Sequence, residues 1–138
     1  MLGIDTNIRL RWLIDESVWP PDNPTQWAAV QRLLGDPNQR FHVNLIVLAE
    51  ALWVIEKRLK QPASAVVDLL ARLDAAANMT LQDSEAVRAA SAAHLRNRPG
   101  VNDRLIAEVN KRAGCEATLT FDEVASRTPG FRLLQSSG

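Results

Sequence analysis

The pattern of apolar and polar positions predicts short strands that alternate with helices. Residues 1–4 form an apolar run ended by the polar cluster Asp5-Thr6-Asn7, as expected for a buried strand leading into a helix. Similar short runs predict strands at 41–44, 79–81, 117–121 and 131–134. Apolar residues at helical spacing predict helices at 8–14, 24–34, 45–59, 63–77, 83–95 and 101–113. This alternation indicates an α/β fold with a parallel sheet covered on both faces.

Local signals predict several helix ends and faces. Pro24 is typical of a first helical turn, and Gly114 predicts the end of the helix at 101–113. The helix at 63–77 is expected to bury one apolar side, which consists of Val66, Leu69, Leu70 and Leu73.

Length, charge and cysteine content narrow the class of protein. The 138 residues predict one domain over 1–134 and a short tail at 135–138. Sixteen basic residues balance sixteen acidic ones, so a nucleic acid would have to bind a local patch. The single cysteine excludes an internal disulfide and fits a reducing compartment. We find no signal-peptide pattern and no membrane-spanning run, and therefore expect a soluble cytoplasmic protein.

Glu50 is the most unusual carboxylate in the chain. It is the one polar residue among eleven at 45–55, and a helix that is apolar nearly all round is expected to be buried. A buried ionised carboxylate must be paired, bound to a metal or neutralised, because burying it alone is very costly. A salt bridge to an arginine is the alternative interpretation.

Asp5 and Asp122 each follow a predicted strand. Neighbouring strand ends of a parallel sheet share a crevice, so the two carboxylates are expected to lie close together. An ordinary aspartate in a strand-to-loop turn is the alternative for each. Thr6 and Thr120 stand beside them, either to hold a carboxylate or water through the hydroxyl or as residues that merely suit a strand.

Asp103 lies in the first turn of the helix at 101–113. The expected buried face of that helix consists of Leu105, Ile106 and Val109, and Asp103 lies at its rim, within reach of the same crevice. Favourable placement near the positive end of the helix dipole is the alternative explanation.

Basic and aromatic residues give candidate binding surfaces. Arg96, Arg98 and Arg104 flank Asp103 and are candidates for RNA phosphate contacts, with a solvated charged loop as the alternative. Trp27 and Trp53 lie on apolar helical faces and are expected in the core, whereas Trp12 and Trp19 are expected to be exposed. His94 is a weaker candidate for a catalytic base.

Four motifs together resemble the PIN-domain ribonucleases. They are Ile4-Asp5-Thr6-Asn7, the apolar helix Leu48-Ala49-Glu50-Ala51-Leu52, Asn102-Asp103-Arg104-Leu105-Ile106-Ala107, and Thr120-Phe121-Asp122. Their order and spacing are most similar to those of the VapC toxins of bacterial toxin–antitoxin pairs. The resemblance extends over nearly the whole chain, to the closing Pro129-Gly130-Phe131-Arg132-Leu133-Leu134.

The resemblance implies a three-layer α/β/α fold and a metal-dependent endoribonuclease that acts as a toxin. The family's catalytic and metal-binding acids carry over onto Asp5, Glu50, Asp103 and Asp122, with Mg²⁺ or Mn²⁺ as the cofactor. Supporting roles are then expected for Thr6, Asn7 and Thr120. The implied partners are RNA, a cognate antitoxin in a groove near Trp12 and Trp19, and a second copy of the chain in a homodimer.

Two positions depart from the family pattern. Gly100 and Val124 stand where family members often have additional acidic residues. Two other functions remain open on the sequence, a housekeeping PIN nuclease that processes RNA or DNA without an antitoxin, and a degenerate binding module without catalysis.

Overall fold

A computed structural model describes residues 1–6, 24–94 and 100–135. The chain divides into two compact units, Met1–Ser84 and Glu85–Gly138. The single domain expected over 1–134 therefore stays a prediction. Several sequence-based predictions lie outside the described residues, namely the helix at 8–14, Asn7, Trp12, Trp19, Arg96 and Arg98, and the side chains of Trp27 and His94.

The first unit alternates strands and helices as the sequence predicts. Its elements are β1 (Leu2–Gly3), α1 (Pro24–Leu34), β2 (Phe41–Val43), α2 (Leu45–Trp53), a π-helical turn (Val54–Arg58), α3 (Ala63–Ala75) and β3 (Met79–Leu81). The strands form a parallel sheet in the order β1-β2-β3, with Phe41 aligned between Leu2 and Met79. Parallel neighbours need long crossover connections, which the intervening helices help to provide.

The core of the first unit lies on the central strand and the helices that pack on it. Phe41 and Val43 on β2 are almost completely inaccessible to solvent, because β2 is paired on both edges. The predicted apolar side of α3 is confirmed, since all four of its members are buried, Val66, Leu69, Leu70 and Leu73. Their spacing places them on one helical stripe.

Two side-chain hydrogen bonds fix the start of α2. The Asn44 side-chain oxygen accepts a bond of 2.8 Å from the Val47 backbone N–H, the usual cap of a helix N-terminus. The Gln82 side-chain oxygen accepts a bond of 2.9 Å from the Leu45 N–H. The helix predicted over 45–59 is found in extent, but its last part is π-helical rather than α-helical.

The second unit contains three helices and two strands among its described residues. They are α4 (Ser84–His94), which begins at the last residue of the first unit, α5 (Val101–Arg112), β4 (Thr118–Thr120), α6 (Glu123–Ser126) and β5 (Phe131–Leu133). Gly114 follows α5 with a φ of +97°, which confirms the predicted helix end. The sequence pattern does not predict α6, because four residues are too short to show helical periodicity.

The fold class is α/β, as predicted. The described strands form a three-stranded and a two-stranded sheet, and every pairing in both is parallel. The predicted buried face of α5 is only partly right, since Leu105 is buried but Ile106 is 41% exposed. Within the described ranges, no helix is long and apolar enough to cross a membrane.

Candidate functional site

Thr6 connects two of the predicted site carboxylates. Its hydroxyl donates a hydrogen bond of 2.8 Å to Oε2 of Glu50, and its backbone N–H donates one of 2.8 Å to Oδ1 of Asp5. Thr6 itself is buried, whereas Asp5 and Glu50 are exposed. Of the two interpretations that the sequence left open for Thr6, the structure therefore favours a hydroxyl that holds a carboxylate.

The elements of the first unit explain this arrangement. The Ile4 backbone N–H donates to the His42 carbonyl at 3.3 Å, which ties the end of the first strand to β2, and the Ile4 side chain is buried. Asp5 and Thr6 follow this buried residue directly in the chain, so the end of the first strand fixes their backbone. Glu50 lies within α2, whose start is fixed by the Asn44 cap.

The prediction that α2 is buried on all sides is wrong. Ile46 is 72% exposed, Trp53 is 51% exposed and Glu50 is exposed as well. The buried face of the helix is narrower, and consists of Val47, Leu48, Ala51 and Leu52. Apolar composition alone does not tell how many faces of a helix are covered by neighbouring elements.

Two related interpretations change with that finding. Trp53 is not a core residue, contrary to the prediction. Because Glu50 is exposed, its charge does not carry the desolvation penalty of a buried carboxylate. Its hydrogen-bond partner among the described residues is the Thr6 hydroxyl rather than an arginine.

Asp122 caps the short helix α6. Its Oδ1 accepts hydrogen bonds from the backbone N–H groups of Val124, at 2.8 Å, and Ala125, at 3.2 Å. The Asp122 N–H donates to the Thr120 hydroxyl at 3.1 Å, so Thr120 holds backbone here rather than a carboxylate. An aspartate in an ordinary strand-to-loop turn, the alternative given for Asp122, explains the two bonds to Oδ1. Its other oxygen, Oδ2, has no hydrogen-bond partner in the described part of the chain.

Asp103 and Arg104 lie in the first turn of α5, in different environments. Asp103 is half-buried, and Arg104 is only 4% exposed. Arg104 lines a cavity of about 480 Å³ together with Lys111 and Cys115. Arg104 is therefore a buried residue of α5 and not part of a solvated charged loop, and its contact with RNA phosphates stays a prediction.

The carboxylates of the first unit fit a hard divalent cation. Thr6 engages one oxygen of each, and Asp5 Oδ2 and Glu50 Oε1 have no partner among residues 1–6, 24–94 and 100–135. An all-oxygen donor set suits Mg²⁺ or Mn²⁺, which commonly keep several waters and bind one or two carboxylates. In the same ranges no cluster of three or more His, Cys, Asp or Glu side chains is close enough to hold a metal.

Sequence reasoning missed the residues that orient α2. Asn44 precedes an apolar helical run, which is a recognisable cap signal. Gln82 carries no such signal, because it reaches the Leu45 N–H from 37 positions further along the chain.

Comparison with known families identifies the fold. The PIN-domain family model matches residues 4–130, a range that contains Asp5, Glu50, Asp103 and Asp122. A comparison with curated proteins finds no significant match. PIN domains are α/β proteins, and the helices and parallel strands described above agree with that fold. Because the match spans most of its length, the chain belongs to the PIN-domain family, whose members are typically metal-dependent nucleases that act on nucleic acid.

Proposed function

We propose that this protein is a metal-dependent endoribonuclease and acts as the toxin of a toxin–antitoxin pair. The observation that carries the nuclease part is the joining of Asp5 and Glu50 through Thr6 in a PIN domain. Thr6 holds one oxygen of each acid, and so keeps two like charges near each other despite their mutual repulsion.

The proposed metal site uses Asp5, Glu50, Asp103 and Asp122, with Mg²⁺ or Mn²⁺ as the ion. Support comes from the carboxylate oxygens without described partners, Asp5 Oδ2, Glu50 Oε1 and Asp122 Oδ2. When bound, the ion supplies Lewis-acid stabilisation of the phosphate and a water of lowered pKa. Gly100 and Val124 stand where family members often have further acids, so the family pattern carries over onto these four positions.

The protein's own contribution is to orient these acids. The buried Thr6 restricts the rotamer of Glu50 by a hydroxyl hydrogen bond and positions Asp5 by a backbone hydrogen bond. The two backbone N–H groups of α6 restrict Asp122 in the same way. Ligands held by such outer contacts reach the geometry of the bound state with less loss of conformational freedom.

The toxin role depends on the resemblance to VapC proteins in the order and spacing of the four motifs. It implies a cytoplasmic homodimer that an antitoxin inhibits, and we propose that the antitoxin binds near Trp12 and Trp19. A housekeeping nuclease is the alternative, and it would use the same four acids but would have no antitoxin.

Cleavage of RNA tests the nuclease proposal. A mixed RNA substrate is incubated with the purified protein and Mg²⁺ or Mn²⁺, in parallel with EDTA, Asp5→Asn and the control Asp36→Asn. Asp36 is an exposed aspartate that accepts a hydrogen bond from the Asn38 N–H, outside the proposed site. We expect cleavage by the wild type and Asp36→Asn alone. Equal cleavage by Asp5→Asn would contradict the proposed site.

Expression in a bacterial host distinguishes the toxin from a housekeeping nuclease. A toxin arrests growth when the wild type is induced, Asp5→Asn does not, and coexpression of an antitoxin encoded by a neighbouring gene restores growth. A housekeeping nuclease cleaves RNA without growth arrest. A non-catalytic module would bind RNA without cleaving it.

A further inference from the structure

One face of α2 and the π-helical turn is open to solvent along its whole length. Its members, called here the exposed α2 face, are Ile46, Glu50, Trp53 and Lys57. They recur at intervals of three or four residues, the spacing of one helical stripe. The face therefore contains one carboxylate of the proposed site, Glu50, and continues from it along the same helical element.

Trp53 gives this face a flat aromatic surface. It is three positions from Glu50, about 4.5 Å further along the helix axis, and its side chain is half-exposed. An indole exposed beside Glu50 is available for contact with another molecule. Exposed aromatic side chains stack on nucleobases with little sequence preference.

Three exposed cations lie at or just after the far end of this face. Lys57, Arg58 and Lys60 are all exposed and lie within four consecutive positions of a chain whose net charge is zero. Lys60 also has a φ of +49°, a left-handed backbone conformation that residues other than glycine rarely adopt. Arg104, a predicted phosphate contact, is buried, whereas Lys57, Arg58 and Lys60 are exposed.

We propose that the exposed α2 face, together with Lys60 just after it, binds single-stranded RNA and leads it to Glu50, with a base stacked on Trp53 and phosphates bound by Lys57 and Lys60. The proposal depends on the nuclease function proposed above and specifies how the substrate is held. Charge complementarity favours RNA, because the exposed cations of Lys57, Arg58 and Lys60 suit the polyanionic backbone of a nucleic acid.

Binding without cleavage isolates this interaction. The probe is a fluorescein-labelled, mixed-sequence 12-nucleotide RNA in EDTA, followed by fluorescence anisotropy over a series of salt concentrations. We expect Trp53→Ala to raise Kd about fivefold or more, since stacking on one base is worth about 1–3 kcal/mol. Trp53→Phe keeps an aromatic ring and should recover most of the affinity.

The salt dependence tests the two lysines. In the double variant Lys57→Gln/Lys60→Gly the slope of log Kobs against log salt should become shallower by about 1.4, or 0.7 per lost phosphate contact to a single strand. Glycine suits the left-handed backbone at position 60, so this variant removes charge without adding strain. Lys111→Gln on α5 is the matched control for loss of an exposed lysine, and should keep the wild-type slope.

The outcomes separate this proposal from the nuclease proposal. Wild-type affinity and slope in the Trp53 and lysine variants would overturn the RNA face, as would the absence of RNA binding by the wild type. Loss of self-association in size-exclusion chromatography, with RNA binding unchanged, would assign the face to a copy interface and also overturn it. If the variants lose RNA binding but the wild type with Mn²⁺ cleaves nothing, the RNA face stands and the nuclease proposal fails.

Discussion

The Thr6 hydroxyl donates a hydrogen bond of 2.8 Å to Oε2 of Glu50, across 44 positions of sequence. This bond connects the residue that follows the first strand to the middle of α2. Thr6 is 9% exposed and Glu50 is exposed, so a buried donor fixes an acid that faces solvent. In the proposed metal site, this bond would orient Glu50 as a ligand of the ion.

Replacing the Thr6 hydroxyl should weaken metal binding more than folding. Thr6→Val keeps the shape of the side chain but leaves Glu50 without its donor, so we expect Mn²⁺ affinity to fall about 10- to 100-fold, as for other residues that support metal ligands. Thr6→Ser retains a hydroxyl and should bind Mn²⁺ nearly as well as the wild type. Isothermal titration calorimetry measures both, and equal affinities for Val and Ser would refute the orienting role.

Two substitutions of Asp122 distinguish its capping role from a catalytic one. Asparagine caps helices as well as aspartate does, so Asp122→Asn should keep the wild-type unfolding free energy and lose RNA cleavage. Asp122→Ala loses the cap too and should be less stable by about 0.5–2 kcal/mol. Urea denaturation and the cleavage assay check these outcomes. Full cleavage by Asp122→Asn would leave Asp122 as a structural cap alone.

Neighbouring residues of α2 should differ strongly in their importance for stability. Leu48 is 1% exposed and Ile46 is 72% exposed, although the sequence suggests the same role for both. Leu48→Ala should lower the free energy of unfolding by about 2–5 kcal/mol, and Ile46→Ala should change it by about 0.5 kcal/mol or less. Chemical denaturation provides the comparison, and similar losses for the two variants would mean that α2 is buried on all sides.

The start of α2 should depend on the Asn44 cap. Asn44→Ala removes the acceptor of the Val47 N–H bond and should cost about 1 kcal/mol of stability, whereas Asn44→Asp keeps the cap. Thermal unfolding followed by circular dichroism checks the difference. An alanine variant as stable as the aspartate variant would show that the cap contributes little.

The sequence predicts most of the local structure because periodicity and end signals are short-range. The apolar side of α3, the strand β3 and the helix end at Gly114 all follow from residues within a few positions of one another. The short helix α6 escapes prediction for the same reason, because it contains less than two turns and is held by one cap, Asp122.

Contacts and exposure are harder to predict than elements. The bond between Thr6 and Glu50 joins residues far apart in the chain, so no local pattern contains it. The exposure of Trp53 and the burial of Arg104 also depend on which neighbours cover them, and the prediction that Trp53 lies in the core was wrong. The acids themselves were selected by residue type and motif order, and their convergence on one metal stays a prediction.

Titration of Mn²⁺ into the protein tests the proposed four-acid site most directly. Calorimetry compares the wild type, the control Asp36→Asn, and the site variants Asp5→Asn, Glu50→Gln, Asp103→Asn and Asp122→Asn, each checked for folding by circular dichroism. If the four acids share an ion, every site variant weakens its binding at least about tenfold and the control does not. Wild-type affinity in both Asp103→Asn and Asp122→Asn would contradict a shared site and leave Asp5 and Glu50 to act without them.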